Sequence, residues 1–258
     1  MPPSPIRDPH YTTPLYHKAE AARIIRVPAN TLRNWAGRPA FPWADDHRDQ
    51  WVIEVRDADQ GQFSEGERVV VHHEGLITVA QAPTPRGPTI PFVGLAEAYV
   101  LASFRQAGVP MQRIRPAIRR LEAETGLIQA LASERLRTDG AEVLWDYGRI
   151  TDDPAEKDAV DDLVVVRNGQ LVFRPIVVNY LRRVTYEDGW ARVINVGAGK
   201  IDVTVDPWMN GGRPTLVRRG IAADDVLSRI RAGESSRAVA ADYGLRVSEV
   251  TALLELAA

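Results

Sequence analysis

Between residues 17 and 35 the apolar positions recur at helical rather than strand spacing. Ala19, Ala22 and Ile25, with Ile24 beside them, form the inward stripe of a first short helix. Val27-Pro28 breaks it, because proline restricts its predecessor and suits the first turn of a following helix. In that second helix Leu32 and Trp35 turn inward, while Asn30, Thr31, Arg33, Asn34 and Arg38 face outward. An ordinary helical hairpin with a solvated face has this periodicity, and so does a pair that lays its second helix in the DNA major groove. The outward groups are those that groove recognition requires: Asn for adenine, Arg for guanine or phosphate, Thr for a methyl group or phosphate. Periodicity alone leaves both readings open.

The rest of the chain alternates between strand and helix signals. Residues 1–14 carry five prolines and predict an extended, poorly ordered arm. Phe41–Asp59 is polar and turn-rich, and Glu67–Ala80 predicts two short strands joined at Glu74-Gly75. Prolines 83, 85, 88 and 91 forbid regular structure and mark a linker or edge loop. Phe92–Glu124 predicts two helices separated by Gly108, with Leu95, Tyr99, Ala102 and Phe104 inward on the first and Met111, Ile114, Ile118 and Leu121 on the second. Leu136–Tyr147 suggests a hairpin about Asp139-Gly140, and Asp152–Asp162 an acidic connector. Leu163–Val196 predicts a small antiparallel sheet with a tight turn at Asn168-Gly169. A helix over Ala222–Arg231, with Val226, Leu227 and Ile230 inward, stops at Gly233. Ser235 or Ser236 caps the next, which ends at Gly244, and Ser248 caps a last helix with Val250, Leu253 and Leu254 inward. These three helices read as a further helix-turn-helix-like bundle. The expected class is α+β: an arm over 1–14, a helix-turn-helix, wing and helix pair over 15–148, a β-hairpin region and linker over 149–200, and a helical domain over 201–258.

Composition narrows the function. A chain of 258 residues with 45% hydrophobic and 26% charged positions is an ordinary soluble protein with room for two or three cores. No apolar run approaches the roughly 18 residues of a membrane span and no signal-peptide pattern is present, so the expected location is cytoplasmic. The absence of cysteine excludes disulfides, thiolate zinc sites and cysteine nucleophiles. A net charge of −2 argues against indiscriminate nucleic-acid binding but not against a local basic face. Two such faces exist. Residues 1–40 hold six cations against two acids, and residues 98–121 hold Arg105, Arg113, Arg115, Arg119 and Arg120 with no acid. A basic face of this kind fits an acidic protein as well as a duplex. Nothing forms a catalytic constellation. Asp45-Asp46-His47-Arg48-Asp49 reads as a solvated loop, His72 and His73 fall on opposite faces of a strand, and Gly197-Ala198-Gly199-Lys200 lacks phosphate-loop spacing. The chain is expected to be no enzyme, with no catalytic residue, no metal site and no cofactor.

Two resemblances add to this reading. Tyr16, Glu20-Ala21-Ala22-Arg23, Val27-Pro28, Thr31-Leu32-Arg33 and Trp35 resemble the helix-turn-helix that opens MerR-type regulators. That resemblance implies DNA binding, with Asn30, Thr31, Arg33 and Asn34 toward the groove and Arg26 and Arg38 on phosphates. It also implies a homodimer reading paired half-sites. GVPMQRIRPAIRRL is similar to the helix that follows the wing in that family. The chain departs from the pattern in a longer insertion between the helical parts, in lacking the usual wing signature, and in lacking a long C-terminal dimerisation helix.

The C-terminal motifs Asp206-Pro207, Gly211-Gly212, Pro214, Gly220-Ile221, Ala232-Gly233-Glu234-Ser235, Asp242-Tyr243 and Ser248-Glu249-Val250 resemble a small prokaryotic family of unknown function often associated with type II antitoxins. One step is altered, reading Arg218-Arg219-Gly220. Together the resemblances point to a VapB-like antitoxin type encoded beside a PIN-like ribonuclease toxin. They imply neutralisation of that toxin and repression of the shared operon through its own promoter DNA. The toxin-facing candidates are the N-terminal arm and Gly197–Arg219, read as an extended stretch carrying Arg213, Arg218 and Arg219 toward an acidic nuclease site. A stand-alone MerR-like regulator without a toxin, and an interaction scaffold that has lost DNA binding, are the other readings.

Overall fold

The computed structural model describes residues 8–37, 50–53, 69–72, 75–80, 82–125, 129–167, 170–197 and 201–257. The fold is α+β, as expected, and divides into two compact units: Met1–Arg182 with Glu187–Ala191, and Arg183–Tyr186 with Arg192–Ala258.

The first unit is built around helix α4 (Phe92–Gln106). Every residue from Phe92 to Phe104 is buried, so α4 is a central helix rather than the one-faced helix its pattern suggested. A helix apolar all round is stable only when other elements enclose it. Helix α5 (Met111–Thr125) buries Ile114, Ile118 and Leu121 as expected. Residues 8–14 of the expected arm form structure, and residues 1–7 lie outside the described residues. Asp8 caps helix α1 (Pro9–Thr12), Pro9 occupies its first turn, and Tyr11 sets its ring edge-on to Phe92 at 5.9 Å. Strand β1 (Pro14–Tyr16) pairs antiparallel with β4 (Ile90–Pro91) and leads into helices α2 (Lys18–Ile24) and α3 (Ala29–Trp35).

A short strap ties α3 to α4. The Leu76 N–H donates to the Trp35 carbonyl at 2.6 Å, and two residues later the Thr78 N–H donates to the Glu97 carboxyl group of α4 at 2.5 Å. Gly75 makes the first contact possible, because a Cβ there would stand 2.5 Å from the Trp35 carbonyl oxygen. Glu97 is 3% exposed, and burial, opposed by its hydrogen bonds to Thr78 and reinforced by Glu122, raises its pKa to about 8. Burial likewise raises Glu122 to about 7, against the charge of Arg119.

Several expected elements take other forms. Val69–His72 (β3) pairs with Gln50–Ile53 (β2), not with a strand beyond Glu74-Gly75. The expected hairpin at Asp139-Gly140 is a junction between α6 (Glu134–Thr138) and α7 (Gly140–Ile150). Leu136, Ala141, Leu144 and Gly148 are buried there at helical spacing, which outweighs the Asp-Gly turn signal. The acidic connector folds as α8 (Pro154–Asp161), capped by Asp153 and anchored by Ala159 and Val160. Strands β5 (Val164–Arg167) and β6 (Gln170–Phe173) pair in the expected hairpin register, with Asn168 and Gly169 outside the described residues. Pro175–Leu181 then forms helix α9 in place of a strand, with proline in its first turn and Val177 and Leu181 buried.

The second unit carries most of a five-stranded sheet of order β11-β10-β9-β8-β7, where β7 is Val184–Glu187, β8 Trp190–Asn195, β9 Val203–Val205, β10 Thr215–Leu216 and β11 Ile221–Ala222. The tip of the β7–β8 hairpin, Glu187–Ala191, belongs to the first unit. Three helices follow: α10 (Ala223–Arg231), α11 (Ser236–Tyr243) and α12 (Val247–Ala257). Val226, Leu227, Val239, Val250 and Leu253 form their core, while Ile230 and Leu254 are half-buried. Ser235 caps α11 by accepting from the Ala238 N–H. Ser248 does not cap α12. That helix starts one residue earlier, and the Arg246 N–H donates to the Glu249 carboxylate at 2.7 Å.

Candidate nucleic-acid interface

Helices α2 and α3 form the expected helix-turn-helix, with Ala21, Ala22, Ile25, Leu32 and Trp35 as its seam. Ala19 is exposed, and Ala21 takes the inward place expected of it. Glu20 closes the start of α2 by accepting from the His17 N–H at 3.3 Å.

The turn contains a feature that sequence reasoning missed. The Val27 N–H donates to the Ala22 carbonyl and the Arg26 N–H to that of Arg23, the paired bonds of a Schellman cap. The residue between cap and exit must be left-handed, and here it is Arg26, at φ +58°. Helix α4 ends in the same bonding pattern, but there the left-handed residue is Gly108 at φ +94°. An arginine in this conformation costs about 1–2 kcal/mol that glycine does not incur.

Asn30, Arg33 and Asn34 are exposed on α3, Thr31 is half-buried, and Arg38 lies outside the described residues. Asn30 accepts a hydrogen bond from Arg33 Nη1 at 2.8 Å, so the two side chains are held together on one face. Thr31 accepts from Arg105 Nη1 at 3.3 Å, which brings the last turn of α4 to the edge of α3. Lys18, in the first turn of α2, has its pKa lowered, first by burial and then by the charge of Arg33. Lys18 and Arg105 thus interact with residues of the expected set. The acid-free run 98–121 was the available signal for Arg105.

The C-terminal arginines are exposed but engaged. The stretch expected to be extended is folded into β9, a helical turn at Asn210–Gly212 and β10. Arg213 pairs with Asp225 of α10 at 3.1 Å, Arg218 approaches Glu249 of α12 at 4.0 Å, and Arg219 donates to the Gly244 carbonyl at 2.6 Å. Trp208, Met209 and Val217 expose apolar surface along the same stretch, and the Arg192 guanidinium lies 3.6 Å from the Trp208 ring centroid. Among the described residues no group of three or more His, Asp or Glu side chains is arranged to hold a metal ion, and no helix is long and apolar enough to cross a membrane.

Two family models match parts of the chain. A family model described as "Putative DNA-binding HTH domain" matches residues 56–118, a span that takes in β3, α4 and the first half of α5 and begins after α3. The family described as "Protein of unknown function (DUF433)" matches residues 203–257, from β9 to the end of α12. The solved crystal structure of Rv2018 from Mycobacterium tuberculosis superposes with a TM-score of 0.74 at 36% identity, covering 95% of this chain and 99% of that one. A curated protein of Mycobacterium tuberculosis, "Putative antitoxin VapB45", is 38% identical over 252 residues, 95% of this chain and 94% of the relative. A helix-turn-helix region at one end, the DUF433 match at the other, and this near end-to-end identity mean that the chain belongs to the VapB45 antitoxin family.

Proposed function

We propose that the protein is the antitoxin of a type II pair, neutralising a PIN-like ribonuclease toxin and repressing the shared operon by binding its promoter as a homodimer. The single observation that carries this reading is identity to an antitoxin along nearly the whole chain, through both units. The DNA-binding part is α3: Asn30, Thr31, Arg33 and Asn34 face the groove, and Arg26 and Arg38 meet phosphates, in the MerR-like manner. Its support is the exposure of Asn30, Arg33 and Asn34 beside a seam that fixes the helix. The toxin-facing part is the stretch around Trp208–Arg219, where apolar side chains and arginines are exposed together. Arg213, Arg218 and Arg219 reach a partner's acids only by exchanging their internal contacts, so the interface opens with Trp208, Met209 and Val217. The test is co-expression with the adjacent reading frame, followed by size-exclusion chromatography with light scattering. A stoichiometric complex that Trp208→Ser weakens supports the reading. Separate elution of two stable proteins leaves a stand-alone cytoplasmic regulator as the better account.

A further inference from the structure

We infer that Arg33 on one flank of α3, and Arg105 on the other, form two DNA-phosphate contacts that straddle a base-reading crown made by Asn30 and Asn34. This rests on the reading of α3 as the recognition helix and moves Arg33 from the base-facing set to the phosphate wall of the groove.

The division follows from helix geometry. At about 100° per residue, taking Asn30 as zero, Asn34 lies at about 40°, Thr31 at about 100° and Arg33 at about −60°. Observed burial agrees: Asn30, Asn34 and Arg33 are exposed, Thr31 is half-buried, and Leu32, Trp35 and Ala36 on the far side are buried. Asn30 and Asn34, one turn apart, therefore form the crest that enters a groove deepest, and asparagine is the side chain suited to adenine N6 and N7. Arg33 sits to one side of this crest. Lys18, in the first turn of α2, feels the charge of Arg33. On the opposite side Thr31 is met by Arg105, delivered from a different helix.

Charge balance points to a ligand. Among the described residues neither Lys18 nor Arg105 makes an ion pair, and the only side-chain partner of Arg33 is the neutral Asn30. Glu20, the acid of α2, is turned to the His17 N–H. Among the described residues no carboxylate pairs with Arg33 or Arg105, and a bound phosphate would balance them. A major groove about 12 Å wide, walled by two phosphate backbones, supplies anions on both sides of the inserted helix. Arg105 also joins the matched span 56–118 to the surface of α3, which that span does not itself include.

The experiment uses the full-length chain and fluorescence anisotropy with two duplexes, one carrying the chain's own promoter region and one of the same composition scrambled. Each titration is run over a series of salt concentrations. Arg105→Ala and Arg33→Ala are expected to weaken both duplexes by the same factor and to lower the salt slope by about one each. Arg105→Lys keeps the charge and restores the slope. Thr31→Val, which removes the hydrogen bond but no charge, leaves the slope intact. Asn30→Ala weakens the promoter duplex alone. Unchanged affinity and slope in Arg105→Ala, with unchanged thermal stability, overturns the inference. So does a loss confined to the promoter duplex, since that is base reading. Wild-type protein that binds neither duplex refutes the parent reading of α3 instead.

Discussion

Replacing Glu97 with glutamine tests the strap that holds α3 against α4. The glutamine amide keeps an oxygen to accept the Thr78 N–H but cannot ionise. In the wild type the carboxyl group is fully buried and its pKa is about 8 against an ordinary 4.5. At about 1.4 kcal/mol for each tenfold change in proton affinity, this corresponds to an upper limit of about 5 kcal/mol. The sign follows from linkage. A carboxyl group with a raised folded-state pKa contributes its full stability below its unfolded pKa and loses it as pH rises through the folded value. Wild-type stability should therefore fall between about pH 4.5 and pH 8, while the variant lacks this component. Glu122, raised to about 7, titrates in both proteins, and its charge adds to the Glu97 component in the wild type. Thermal unfolding of the two proteins at pH 5 and pH 9 reads it out. Near pH 5 the melting temperatures should be close, and near pH 9 the variant should melt higher by at least several degrees, since about 1 kcal/mol shifts a unit of this size by about 2–4 °C. Melting curves that shift in parallel across this range would refute an ionisable Glu97 buried under Thr78.

Three further outcomes follow from named contacts. Arg26→Gly should raise the melting temperature by relieving about 1–2 kcal/mol of left-handed strain while weakening promoter binding; a loss of stability would show that Arg26 makes packing contacts that outweigh its backbone. Gly75→Ala should destabilise by about 1–3 kcal/mol, measured by urea titration, because its Cβ meets the backbone at Trp35. Ser235→Ala should cost about 1 kcal/mol from the lost cap of α11 and leave DNA affinity unchanged in the anisotropy assay.

The elements legible in the sequence are those whose signal is local and uncontested. Leu32 and Trp35 fix the inward face of α3, and Ser235, Gly233 and Gly244 punctuate the C-terminal helices where the structure has them. Failures came where a short-range signal competed with a longer period. Asp139-Gly140 looked like a hairpin turn, yet the burial of Leu136, Ala141 and Leu144 made it a helix junction. The acidic residues of Asp153–Asp162 looked like a connector because Ala159 and Val160 are too few to form a visible stripe. The exposed face of α3 was legible because consecutive residues of one helix carry it. Lys18 and Arg105 were not, since one belongs to the preceding helix and the other stands far along the chain, and only folding brings each to α3. Arg26 was legible as a cation but not as a strained residue, because its backbone conformation follows from how α2 ends.

The central claim is that this chain is an antitoxin, and its most direct test is a titration of the full-length protein into the purified product of the adjacent reading frame while RNA cleavage is followed. The account predicts that ribonuclease activity falls linearly and vanishes at a fixed stoichiometric ratio, with the inhibited species eluting as one complex. Cleavage that continues undiminished at excess chain would contradict it.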